Sequence, residues 1–376
     1  MDKESFINNV NSYIRLFGLY LNKKTDKDFK IDDGLLAFFI KLSKHHSLTA
    51  FLYKALVSTQ VDVNKEQLKK LEEYYYSNMR KVVLFDKERK ELYAYLNNNQ
   101  IDFLPLKGIV LKDDYFDPDT REFADNDILF PTEKDKLIKD FFINRGYKVV
   151  SFRKSNHDIY QKKPFFNFEM HRDLFFDNED RHIYAVYFKD CLNKSPIKDK
   201  HEHYLKDEDF YIYFTAHSAK HFNHSGCGIR TLIDYYFFLK NHKLDFDYIN
   251  KELEKIELLE FSNKISSLSI KIFDNQELSD EEKETLLFIT SSGTYGTLEN
   301  SVQKGVNKKG RFKYFMSRIF PPMSFYKTAY PRLYKTKVLI PLAWLLRFFR
   351  ILFKNPKRAT KELKMISKTK KEKKSE

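Results

Sequence analysis

Cysteine is nearly missing from this 376-residue chain: Cys191 and Cys227 are the only two, and their spacing fits no metal-binding or redox motif. That excludes a disulfide-stapled secreted scaffold and makes a reducing cytoplasm the expected compartment. The opening Met1-Asp2-Lys3-Glu4-Ser5 is polar, and no apolar secretory core follows it. A membrane span needs roughly 20 apolar residues. Val338 to Phe353 is too short for one and carries Arg347 and Arg350 inside it. Glycines are few, so little interrupts helical patterns, and no internal repeat is visible. Tryptophan occurs once, at Trp344.

What is present is a folding sequence. Hydrophobic residues make up 42%, with 36 Phe and 24 Tyr, enough to bury a sizeable core and exclude a disordered chain. Apolar residues recur at three- and four-residue intervals over Ile14 to Leu21, Gly34 to Ser43, Ser47 to Leu56 and Lys65 to Asn97. The same pattern covers Asp207 to Phe222, Ile229 to Lys240 and Leu244 to Phe288. All of these predict helices. Ser291 to Thr297 reads as a loop, and Lys304 to Arg311 as an exposed basic segment.

The formal charge is +14, but it is not spread along a groove. From Lys354 onward ten Lys and Arg face three Glu, a net +7, half of the excess. Charge gathered in one tail and not interleaved with aromatics makes nucleic acid an unlikely partner. Val338 to Phe353, with Trp, Phe and Leu beside Arg, fits an interfacial helix that would dock, with residues 338–374 as a whole, on an anionic membrane surface. Packing of that helix on the protein's own core is the equal alternative.

Chemistry concentrates in the middle of the chain. Asp125-Asn126-Asp127 leads into the apolar Ile128-Leu129-Phe130. On a strand, positions two apart share a side, so Asp125 and Asp127 would point together while Asn126 turns away. An Asp-Asn-Asp run is also a common turn. The neighbours favour a strand: Thr132 can cap a helix with Asp135 as reciprocal partner, apolar residues follow at helical spacing, Gly146 terminates, and Tyr147 to Phe152 resumes as a strand. Phe165 to His171 places Phe166, Phe168 and Met170 on one face and Asn167, Glu169 and His171 on the other. Two or three carboxylates on adjacent strands are what a Mg²⁺-nucleotide site requires, since Mg²⁺ takes one or two carboxylates and completes its shell with water and phosphate.

His217, His221 and His224, with Asp234 further on, form a second constellation. A zinc-protease motif would need Glu directly after the first His, and Ser218 stands there. His217 or His221 pointing into a cleft is the favoured reading. His224 reads better as a surface or capping residue, and Asp234 as an acid that orients a histidine or a substrate hydroxyl.

Leu104-Pro105-Leu106-Lys107-Gly108, Arg121, Asp125-x-Asp127 and Glu169-x-His171 together resemble the uncharacterised bacterial nucleotidyltransferase family, within the DNA-polymerase-β-like superfamily. The likeness extends to the upstream helices, to His217 with Asp234, and to Phe320-Pro321-Pro322 and Trp344. It departs at the usual Gly-Gly or Gly-Ser phosphate turn, here Lys107-Gly108-Ile109, and in having Glu169 as the third acid where Asp is usual. The resemblance implies an α+β fold: a small mixed-sheet core (99–180) flanked by an N-terminal helical region (1–98) and a C-terminal one (181–335), then an amphipathic helix and basic tail (336–376). It implies Mg²⁺ or Mn²⁺ on Asp125, Asp127 and Glu169, which would also be the catalytic set. Lys107, Gly108, Arg121, His171, His217 and Asp234 would contact nucleotide or acceptor. The implied reaction moves a nucleoside monophosphate from a nucleoside triphosphate to a hydroxyl-bearing acceptor of unknown identity. A catalytically inactive nucleotide-binding relative and a basic nucleic-acid-binding protein are the alternatives.

Overall fold

Regular apolar spacing turns most of this chain into helix, and one short interval of alternating residues turns into sheet. In the computed structural model the described residues are 2–177, 182–294, 296–321, 323, 325, 326, 330, 333, 334, 336, 340–354 and 356–368. They fall into two compact units, Met1–Ala219 with Gly228–Thr294, and Lys220–Cys227 with Tyr295–Glu376.

The first unit opens with four helices: α1 (Lys3–Leu21), α2 (Asp33–His46), α3 (Thr49–Thr59) and α4 (Lys65–Asn98). Asp2, Asp32 and Asn64 cap α1, α2 and α4 by accepting first-turn N–H groups. α3 has no such cap residue of its own. Glu122, far along the chain, accepts from the Ala50 N–H at 2.9 Å instead.

The sheet has five strands: β1 (Leu104–Pro105), β2 (Asn126–Leu129), β3 (Lys148–Ser151), β4 (His157–Lys162) and β5 (Phe166–His171), in the order β1-β2-β5-β4-β3. β2 and β5 run parallel, and the other neighbours are antiparallel. The turn helix α5 (Gly108–Leu111) follows β1, and α6 (Asp135–Asn144) links β2 to β3. Ile128, Tyr160, Phe168 and Met170 face one way and pack on Leu92 and Leu96 of α4 and Ile138 and Phe142 of α6. Period-two alternation therefore sends Asp127, Glu169, His171 and His157 to the opposite face.

This is the α+β fold with a mixed sheet and helical flanks that the motifs imply. It differs in detail from local expectation. Gly146 does end α6 in the left-handed region, at φ +79°. Thr132 and Asp135 do not form a cap: no side chain caps α6, because Arg153 takes the Asp135 carboxylate with bonds of 2.5 and 2.7 Å. β4, absent from the periodicity reading, adds a strand between β3 and β5.

The remaining helices of this unit include α7 (His182–Tyr187), α8 (Cys191–Lys194), α9 (Asp207–His224), which runs into the second unit, α10 (Ile229–Asn241), α11 (Phe246–Lys255), α12 (Leu259–Phe273) and α13 (Asp280–Ser292); the hairpin of β6 (Ile197–Asp199) and β7 (Glu202–His203) precedes α9. Helix α13 takes the first two residues of the expected 291–297 loop.

The second unit contains α14 (Leu298–Lys309), α15 (Arg311–Ile319), α16 (Ile340–Lys354) and α17 (Pro356–Lys368). Lys304 to Arg311 is therefore mostly helix, and Lys304 is not exposed: its ammonium bonds the Phe222 carbonyl and burial pushes its pKa down to about 8. On α16, Ile340 and Ala343 are buried, Trp344 meets Phe320 edge-on at 4.9 Å, and Arg347 donates to the Arg318 and Ile319 carbonyls. Leu342, Leu345, Leu346 and Phe349, spaced i, i+3, i+4, i+7, are exposed. Among the described residues no helix is long and apolar enough to cross a membrane. Pro322, Val338, Leu339 and the tail beyond Lys368 lie outside the described residues.

Asp158 on β4 points into the core side at 0% exposure and is held by Arg172 Nη1 at 2.7 and 2.8 Å. Arg172→Met leaves that carboxylate without its cation and should cost about 3–5 kcal/mol. Urea denaturation measures this; an unchanged midpoint contradicts it.

Candidate active site

The parallel register of β2 and β5 pairs Asp127 with Glu169 and Leu129 with His171. Paired positions on parallel strands direct their side chains to one side, so both acids and His171 share the face opposite the core. Asn126 turns to the other face, where its carbonyl oxygen accepts from Arg89 of α4 at 3.0 Å. Asp125 lies one residue before β2, half-buried and close enough to feel Asp127.

Asp127 is 3% exposed, and two side chains meet its Oδ1: Lys107 Nζ at 2.6 Å and His171 Nε2 at 2.7 Å. Burial alone would raise its pKa, but Lys107 and His171 outweigh burial and hold the carboxyl below the usual range. Lys107 behaves reciprocally: burial disfavours its charge, yet Asp127, with Tyr213, Asp125 and Glu169, raises its pKa. Asp125 goes the opposite way. Burial, then repulsion from Asp127, lifts it from 3.8 to about 6, with Lys107, Arg230 and Arg121 pulling back.

The approach to the site is a strained turn. Lys107 has φ +50° and ψ −121°, a region that L residues seldom occupy and that costs about 1–3 kcal/mol. Gly108 follows because nothing larger fits. A Cβ there would lie 2.6 Å from Arg121 Nη1. That guanidinium is held by Asp234 of α10, with Nε and Nη2 donating to its two oxygens at 2.7 and 2.8 Å, and the Tyr115 hydroxyl donates to Asp234 Oδ1 at 2.7 Å. Arg121 and Asp234, which the sequence suggests as a phosphate contact and an orienting acid, thus form one buried ion pair. Its placement fixes the turn.

Helix α9 supplies Tyr213, buried near Lys107, Asp127 and Glu169, and their surroundings raise its pKa, burial first. His217 lies one turn further along α9, its ring 6.3 Å from that of Tyr213. Two groups at the site escape sequence reasoning. Arg230 of α10 donates to the Glu122 carbonyl at 2.6 Å and lends positive potential to Asp125. His157 of β4 stands opposite His171 in register, 3.6 Å from Glu169. Reading 157–162 as a strand would have found it.

The raised Asp125 pKa sets a pH dependence. A folded-state pKa above the unfolded value gives stability that is fully present below about 3.8 and lost as pH rises through about 6. Asp125→Asn removes that loss. Melting curves should show the variant equal to wild type near the lower value and more stable above the upper one; identical pH profiles would contradict the repulsion.

A family model described as an uncharacterised nucleotidyltransferase matches residues 36–274. No curated protein matches the chain, and no solved structure does. The match begins inside α2, takes in the whole sheet with Lys107, the Asp pair, Glu169 and His217, and ends just past α12. It spans well over half of the chain, which therefore belongs to this uncharacterised nucleotidyltransferase family.

Proposed function

We propose that the site transfers a nucleoside monophosphate from a nucleoside triphosphate to a hydroxyl-bearing acceptor, with Mg²⁺ or Mn²⁺ held by Asp125, Asp127 and Glu169. The observation that carries this reading is the β2–β5 register, which sets Asp127 beside Glu169 with Asp125 next along the chain. The donor set suits a hard dication, since all three groups are carboxylates and burial, with repulsion from Asp127, already pushes Asp125 toward neutrality. Such an ion offsets phosphate charge and makes a hydroxyl more acidic.

The chain's own groups do the rest. Lys107 and the Gly108 amide meet the phosphates, while Arg121, locked to Asp234, keeps their turn in place. His171 fixes Asp127. Glu169 takes the proton of the acceptor hydroxyl as its oxygen bonds to the α-phosphorus, the bond from that phosphorus to the bridging oxygen breaks, and pyrophosphate leaves. His217 contacts acceptor or nucleotide from α9.

Wild type with Mg²⁺ and ATP, CTP, GTP or UTP should melt about 5 °C or more higher with at least one of them, because ligand at 100 times Kd adds about 2.7 kcal/mol to the native state. Asp127→Asn and Asp125→Asn should fold and lose that gain. No gain in wild type, or equal gains in all three, would overturn the reading. Labelled triphosphates incubated with cell extract then identify the acceptor.

The exposed stripe of α16 supports a second reading for the carboxyl-terminal segment, docking on an anionic bilayer. Four apolar side chains lie outward on one helix, and the basic excess of the following sequence is complementary in charge to such a surface. Attraction is worth on the order of 1 kcal/mol per basic residue near the surface and weakens with salt. Vesicles with anionic lipid should co-sediment the chain at low salt, and Leu345→Ser with Phe349→Ser should abolish it. Equal sedimentation of wild type and the double variant would refute docking through this face.

A further inference from the structure

Beside Asp127, the same sheet face carries three ligating groups drawn from two strands. His157 of β4 and Glu169 and His171 of β5 offer donor atoms that all lie within 4.8 Å of one another. The strands enforce this: His157 is the register partner of His171, and Glu169 precedes His171 by two positions. The two rings have centres 4.9 Å apart. His157 Nε2 is 3.6 Å and His171 Nε2 is 3.9 Å from Glu169 Oε2. Those separations are too long for hydrogen bonds. They suit atoms that share one ion, because ligands about 2.0–2.2 Å from a metal sit roughly 3–4 Å from each other. Side-chain exposure is 4% for His171, 20% for Glu169 and 24% for His157, so the cluster has a closed floor and an open side.

We infer that His157, Glu169 and His171 bind one transition-metal dication of the Mn²⁺, Co²⁺ or Zn²⁺ class. Mg²⁺ keeps to oxygen ligands, whereas imidazole nitrogen favours transition ions. Three protein ligands leave coordination positions for water or a substrate oxygen. His171 Nε2 also lies 2.7 Å from Asp127 Oδ1, so an ion bound to that nitrogen replaces this hydrogen bond. This site shares only Glu169 with the all-oxygen set above and needs no nucleotide.

The test titrates the full chain with Co²⁺ alone and follows its visible absorption, which reports nitrogen ligation. Wild type should take up one Co²⁺ per chain. His157→Ala and His157→Gln should each weaken binding about tenfold or more, as should Glu169→Gln, while His201→Gln, which alters a histidine between β6 and β7 that bonds Asp102, leaves it nearly unchanged. Melting curves confirm that each variant is folded, and His157→Gln keeps a polar side chain of similar reach in case the Ala form is not. Wild-type affinity in both His157 variants, or a loss in His201→Gln as large as theirs, would overturn the inference. The Mg²⁺-triphosphate melting gain, measured on the same wild-type sample, fails or survives separately and so tells this inference apart from the nucleotidyl reading.

Discussion

A carboxylate at 3% exposure keeps its charge only where cations touch it, and the site is arranged around that requirement at Asp127. Lys107 and His171 meet the same oxygen from two elements. For Lys107 to reach it, the chain after β1 must turn through a backbone conformation that suits glycine better than lysine. The next residue must then be small, because the Arg121 guanidinium lies against it. Arg121 in turn stays in place because Asp234 holds it, and the Tyr115 hydroxyl donates to that same carboxylate. Helix α10 is thus linked to strand β2 through the Asp234–Arg121 ion pair, the close approach of Arg121 to Gly108, and the Lys107–Asp127 ion pair.

The same contacts divide the labour between two acids that are one residue apart. Asp127, held by Lys107 and His171, has its pKa lowered and stays ionised. Asp125, crowded by burial and by its neighbour's charge, changes protonation near neutral pH. Such opposite displacement is what burial and unequal access to Lys107 and His171 produce in two neighbouring carboxyls. Glu169 lies across the strand pairing from Asp127, at the meeting point of the acids and the two histidines.

Alternation and helical spacing made much of this legible. Phe166, Phe168 and Met170 announce which face of β5 is core and therefore where Glu169 and His171 point, and the apolar intervals give α1 to α4 and α10 to within a few residues at most boundaries except the start of α1. β4 was not legible. Its core face carries Asp158 and Lys162 with Tyr160, so the strand reads as polar, and the Arg172 guanidinium with the Arg153 backbone N–H makes a buried Asp158 tolerable there. His157 is lost to inspection for the same reason. The Thr132 and Asp135 pattern failed as a cap because Arg153, 18 residues from Asp135, competes for the carboxylate.

By itself the sequence determined what depends on near neighbours: hydrogen bonding within a helical turn, two-residue alternation on a strand, and the grouping of Lys107, the Asp pair and Glu169-x-His171 that marks the family. Only the tertiary structure decided which distant charges meet. Arg121 and Asp234 lie 113 residues apart and pair because α10 packs against the 112–115 segment between β1 and β2, and His157 reaches Glu169 because β4 pairs with β5. Periodicity is written in adjacent residues, whereas the pairing of a buried charge depends on how every packed element closes around it.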